Sequence, residues 1–121
     1  MDIKWEMLYA RKNEHFTFEE EQVKNALNEE IGKLNACLRN VHVRDIVMKD
    51  SYIDFPDCDI AFEIDKRSIT FIKQDKNAES RRQAELLITR DNLIKFHQTD
   101  EIFFTFDWKV INTVFQQLLM N

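Results

Sequence analysis

The stretch CDIAFEIDKRSITFIKQ, residues 58–74, decides the fold. Cys58, Ile60, Phe62 and Ile64 alternate with Asp59, Ala61 and Glu63, the period of two that a strand with one buried face imposes. Asp65, Lys66 and Arg67 break the pattern, and Ile69 and Phe71 resume it. Two alternating runs joined by a short polar turn read as an antiparallel hairpin.

The same period extends in both directions. Upstream, VHVRDIVMK (41–49) reads as a strand that Asp50 and Ser51 turn into YIDF (52–55), which Pro56 ends. Downstream, the polar DKNAESRRQ (75–83) reads as an exposed loop. AELLIT (84–89) and LIKFHQ (93–98) then flank RDN, a turn whose Asp and Asn tolerate left-handed backbone. TDEIFFTF (99–106) adds a further strand. The expectation is five to six mainly antiparallel strands in a meander.

Helical periodicity brackets the strands. Val23, Leu27, Ile31, Leu34 and Leu38 form one apolar stripe, so residues 17–39 are expected to be a helix. TFEE (17–20) has the form of a capping box, with Thr17 as cap and Glu20 reaching back. Asp107 is placed to cap a last helix on which Trp108, Ile111, Val114, Phe115, Leu118 and Leu119 share a side. Residues 1–12 fit a short helix behind Asp2, although Ile3, Trp5, Met7 and Tyr9 also alternate as a strand would. Helices at both ends of a meander bury their stripes by packing on one face of its sheet. Residues 1–121 are therefore expected to form a single two-layer α+β domain.

Gly32 is the only glycine, and it lies inside the best helical pattern. A glycine there costs about 1 kcal/mol relative to alanine. Either the helix breaks or kinks near Gly32, or a neighbouring element passes too close for a Cβ. The stripe continues through KLNACL without a phase slip, which favours close packing.

Composition narrows the function classes. The chain has 121 residues, a formal net charge of −5 and ten Phe. Such a length can bury about two-thirds of its unfolded surface. No run approaches the ~20 apolar residues of a transmembrane helix, and the first residues carry charges throughout, unlike a signal peptide. The reading is a cytoplasmic protein. An acidic balance disfavours nucleic acid as a partner, since phosphate recognition needs a basic face. Abundant Phe, Ile, Asn and Lys beside one Gly and one Pro suit A+T-rich coding, as in a low-GC bacterium or its phage.

Constellations for chemistry fail on spacing. DFPDCDIAFEIDK (54–66) invites comparison with the acidic-x-Lys arrangement of restriction-type nucleases, yet Glu63 and Lys66 are three apart and would point oppositely along a strand. Asp54, Asp57 and Asp59 lack the glycine and ligand run of a calcium loop. His15, His42 and His97 share no metal spacing with one another or with Cys37 and Cys58. Both cysteines read as reduced, buried and inert. One glycine rules out a glycine-rich phosphate loop. No catalytic residue, cofactor or metal is expected. Lys66, Arg67, Arg81 and Arg82 would form a basic site only where their two loops met at one edge.

The sheet's second face carries the functional expectation. Parity puts Ile60, Phe62, Ile64, Ile69, Phe71, Leu86, Ile88, Ile94, Phe96, Ile102, Phe104 and Phe106 under the helices. The opposite face is mixed, and Ile72, Leu87, Leu93 and Phe103 would make an apolar patch where their strands adjoin. A patch of that kind marks a protein partner or self-association into a homodimer. The chain is thus expected to be a small acidic interaction module, such as a regulator, inhibitor or immunity-type factor. The alternative is a small-ligand or sensing domain with a pocket between sheet and helices.

Overall fold

The computed structural model describes residues 4–120. Two helices, α1 (Trp5–Lys12) and α2 (Glu20–Asn40), precede seven strands: β1 (Val47–Met48), β2 (Tyr52–Asp54), β3 (Cys58–Ile64), β4 (Ser68–Asp75), β5 (Arg81–Ile88), β6 (Ile94–Phe96) and β7 (Glu101–Phe103). Helix α3 (Trp108–Met120) follows. The strands form one sheet in sequence order, each antiparallel to the next. The α+β class and the meander are as the sequence indicates, with seven strands instead of five to six. Residue Asp2, the expected cap of the first helix, lies outside the described residues, and Lys4 occupies the cap position.

The core lies between one sheet face and helices α2 and α3. Val23, Leu27 and Ile31 of α2 and Val110, Ile111, Val114 and Leu118 of α3 are buried against Ile60, Phe62, Ile69, Phe71 and Leu86. Phe71, Phe96, Leu27 and Ile60 are fully enclosed, so the space between sheet and helices is filled by side chains. Each such side chain contributes about 1.5–3 kcal/mol relative to an exposed one. The helices also meet through a polar contact: the Asn112 amide donates to the buried carboxylate of Glu30 at 2.9 Å. Asp107 caps α3 as its position suggests, accepting from the Lys109 N–H at 2.9 Å.

Several local expectations are corrected. Helix α2 begins at Glu20, and Thr17 caps nothing; its hydroxyl donates to the Glu19 carboxylate. The reason lies in Phe18, which is buried against the Phe106 ring at 5.5 Å. Its N–H donates to the Lys66 carbonyl at 2.8 Å. Burying that ring outweighs a capping box worth about 1 kcal/mol.

The expected strand over 41–49 is reduced to Val47–Met48. Its first residues terminate α2: His42 takes a φ of 61°, its N–H donates to Arg39, and the Val43 N–H reaches the Leu38 carbonyl. This is a Schellman motif with histidine where glycine is usual. Asn35 then satisfies both backbone groups of Ile46, donating to its carbonyl at 3.2 Å and accepting its N–H at 2.7 Å. A side-chain amide thereby takes the place of a neighbouring strand. Conversely, the polar stretch 75–83 contributes to the sheet, because β4 runs to Asp75 and β5 starts at Arg81.

Close packing at Gly32 is also overturned. The residue is exposed within the unbroken helix α2, and a Cβ built on it would meet nothing within 4 Å.

Candidate interaction surface

The register sorts the second face. Tyr52, Ala61, Ile72 and Gln83 form one row across β2 to β5. Ser68, Leu87, Lys95 and Ile102 form another across β4 to β7. Between them runs the polar row Glu63, Thr70 and Glu85. Ile72 and Leu87, both half-buried, are therefore held apart by two steps along the strands. The four expected patch residues do not form one surface.

Phe103 is the residue whose placement is corrected. It pairs with Ile94, on the helix side, and packs against the core. Ile102 takes the outward position and is 51 % exposed. The cause is the β6–β7 turn, in which Asp100 adopts a φ of 61° and its N–H donates to the Phe96 carbonyl. Four turn residues set Phe96 opposite Glu101, so an even position faces an odd one and the alternation reverses. Phe106 is buried as expected; Phe104 is half-buried.

The structure brings Leu87 and Ile102 together on either side of Lys95, with Leu93 two residues from Lys95 on the same parity. Lys95 is drawn to Asp100 at 3.2 Å. The β6–β7 pairing ends at Ile94 and Phe103, and the chain leaves the sheet at Phe104. At Phe104 the corner meets α1: the Arg11 guanidinium lies over the Phe104 ring at 4.4 Å and the Phe16 ring at 5.2 Å. Met7, Ala10 and Glu14 complete a groove with Phe104.

That groove defines the inner side of α1, and among the described residues the other side stands exposed. Trp5, Leu8, Tyr9 and Lys12 recur at i, i+3, i+4 and i+7, one stripe on the opposite side. Trp5 is 74 % and Tyr9 64 % exposed, and no residue of α1 is buried. Sequence periodicity settles neither the type of this short element, which also alternates as a strand would, nor which of its sides is covered, because both sides of the helix carry apolar residues.

The basic candidates separate. Lys66 and Arg67 lie at the β3–β4 turn, while Arg81 and Arg82 begin β5 beside the far end of β4. Arg67 is consumed internally, donating to the carbonyls of Phe16 and Thr89 and to the Asn92 side chain. Arg82 points to the last turn of α3, 3.5 Å from the Leu118 carbonyl, where the helix dipole favours a cation.

Of the acidic candidates Asp54, Asp57 and Asp59, the first and last lie beside cations of their own chain. Asp54 accepts from Lys76 and from Arg44. Those two partners, Lys76 first, hold its carboxyl below the ordinary range. Asp59 lies 3.9 Å from Lys76. Among the described residues no group of three or more His, Cys, Asp or Glu is placed to hold a metal ion.

The two cysteines differ. Cys58 is buried, and burial first, then Asp57, pushes its thiol up to about 12. Cys37 is exposed, contrary to expectation. It borders an apolar groove of about 310 Å³ that Leu34, Leu38, Val43, Phe55 and Leu119 help to line. No helix among the described residues is long and apolar enough to cross a membrane. No protein-family model matches the chain, and neither the curated proteins nor the solved structures give a match.

Proposed function

We propose that the chain is a cytosolic, non-enzymatic interaction module that self-associates through the outward stripe of α1 and the adjoining sheet corner. The observation that carries this reading is the exposure of Trp5, Leu8 and Tyr9 on a helix with no buried residue. These side chains are exposed and largely apolar, and a standard interface of ~800 Å² per partner would extend from them onto the neighbouring sheet corner, where Ile102 is exposed. The stripe is self-complementary. In an antiparallel pair of α1 helices, Lys12 of one copy meets Trp5 of the other, the same pairing that sets Lys33 Nζ 3.3 Å from the Trp108 ring centroid within the chain. A regulator, inhibitor or immunity-type factor of a low-GC bacterium or its phage would act by presenting such a surface.

In that antiparallel pair the two-fold axis passes between Leu8 and Tyr9, so Leu8 of each copy lies against Tyr9 of the other and close to its own counterpart across the axis. Leu8→Cys, in a Cys37→Ser background, should then form an intermolecular disulfide under mild oxidation, whereas Asn25→Cys on α2 should not. Equal cross-linking of both, or of neither, would remove the basis for self-association through α1.

The second reading, a small-ligand domain, draws on the apolar groove beside Cys37. That groove lies between the ends of α2 and α3 and the Val43–Phe55 region, not between sheet and helices. An unexplained ligand mass in native mass spectrometry, abolished by Leu38→Lys, would favour it.

A further inference from the structure

Helix α1 has eight residues and no apolar anchor in the core. A helix of that length is marginal in water on its own, so something in the body must hold it folded. Asn92 does so. This residue, in the β5–β6 turn, is 6 % exposed and has a φ of 62°. Its Nδ2 donates to the carbonyls of Arg11 at 2.9 Å, Lys12 at 3.3 Å and Glu14. Its Oδ1 accepts from Arg67 Nη1 at 2.8 Å, and Arg67 also grips the Phe16 carbonyl at 2.8 Å and the Thr89 carbonyl at 3.0 Å.

The carbonyls of Arg11 and Lys12 belong to the last turn of α1, where i+4 amides of the helix are missing. Locally the Asn13 side chain donates to the Tyr9 carbonyl and the Glu14 N–H to that of Arg11, and Asn92 adds the contact from the body of the fold. Asn92 therefore acts as a C-terminal cap supplied from the far end of the sequence. The other hold is the Arg11 guanidinium between Phe16 and Phe104; its Nε lies 3.3 Å from the Glu14 carboxylate, and its buried Nη1 has no hydrogen-bond partner among the described residues. A polar latch and one stacked cation are weaker than a buried apolar anchor, so the released state of α1 is an accessible minor state, on the order of 0.1–10 % populated.

We infer that Asn92 is the positioning residue of a two-state arm: with the latch made, α1 is helical and presents Trp5, Leu8, Tyr9 and Lys12; with it broken, α1 unfolds while the sheet and the other helices persist. This rests on α1 being the interaction element. A partner that binds the stripe binds only the latched state and shifts the arm towards it. Asn92 thus controls affinity without touching the partner.

The experiment is amide hydrogen exchange on the free monomer at low concentration, so that its outcome is independent of any partner. Asn92→Gly keeps the left-handed turn and removes the latch. Asn92→Asp keeps the acceptor for Arg67 but turns a carboxylate towards the three α1 carbonyls. In both variants the amides of α1 should exchange about ten- to a hundredfold faster, as loss of one to two net hydrogen bonds implies. Protection in β3, β4 and α3 should stay at the wild-type level, which also shows that the variants fold. The inference is overturned if α1 exchange is unchanged in both variants, or if α1 is already unprotected in the wild type. Loss of protection across the whole chain would equally overturn it, since Asn92 would then hold the fold and not an arm.

Discussion

At Gly32 the fold leaves helix stability unused. The residue is exposed in α2, with open space where a Cβ would project. Meanwhile the left-handed positions that glycine suits are held by His42, Asn92 and Asp100. Gly32→Ala should raise the unfolding free energy by about 0.5–1 kcal/mol, measured by denaturant titration. No change or a loss would mean that the backbone at Gly32 is not ordinary helix. The cysteines make a second contrast at this scale. In the native protein a thiol reagent should modify Cys37 rapidly and Cys58 only after unfolding. The Cys58 thiol is raised to about 12 in the fold and ionises near 8.5 in the unfolded chain. Its contribution is therefore complete below the unfolded value and is lost as pH rises from there towards about 12. Stability should decline over that alkaline window, and less so in Cys58→Ala when compared with its own neutral-pH value.

Among the elements, the edge of the sheet shows how a side chain sets a boundary. Asn35 holds both backbone groups of Ile46 from within the core layer. Asn35→Ala leaves them without partners and should destabilise the protein by about 1–3 kcal/mol, again by denaturant titration. Elements resting on apolar period were legible: the Val23–Leu27–Ile31 stripe is buried, and the β3–β4 hairpin pairs through Phe62 and Phe71. Elements resting on competition were not. The start of α2 depends on Phe18 finding Phe106, and the fate of 41–46 depends on Asn35, eleven residues before Ile46. Strand β7 was found but turned over, because one four-residue turn exchanged Ile102 for Phe103. The first residues of β5 were missed because Arg81, Arg82 and Gln83 carry no apolar signal. The expected patch was accordingly legible in part: Leu87 and Leu93 share a corner, Ile72 stands apart, and the outward residue of β7 is Ile102.

Over the whole molecule, the meander ends in β1 and β7, strands of two and three residues. Edges that short offer little backbone to another sheet, so the proposed self-association relies on side chains. Those side chains stand on the outer side of α1, whose inner side rests on Phe104 and whose end is held by Asn92. The opposite layer is closed by α2 and α3. Burial therefore explains the fold, and exposure on the outer side of α1 supports the proposed use. The most direct test is sedimentation velocity on the wild type and on Trp5→Glu/Tyr9→Glu, from low to high micromolar concentration. The wild type should shift from monomer to dimer as concentration rises, while the variant stays monomeric with an unchanged circular dichroism spectrum. A wild type that remains monomeric throughout, or a variant that dimerises equally well, would contradict self-association through α1.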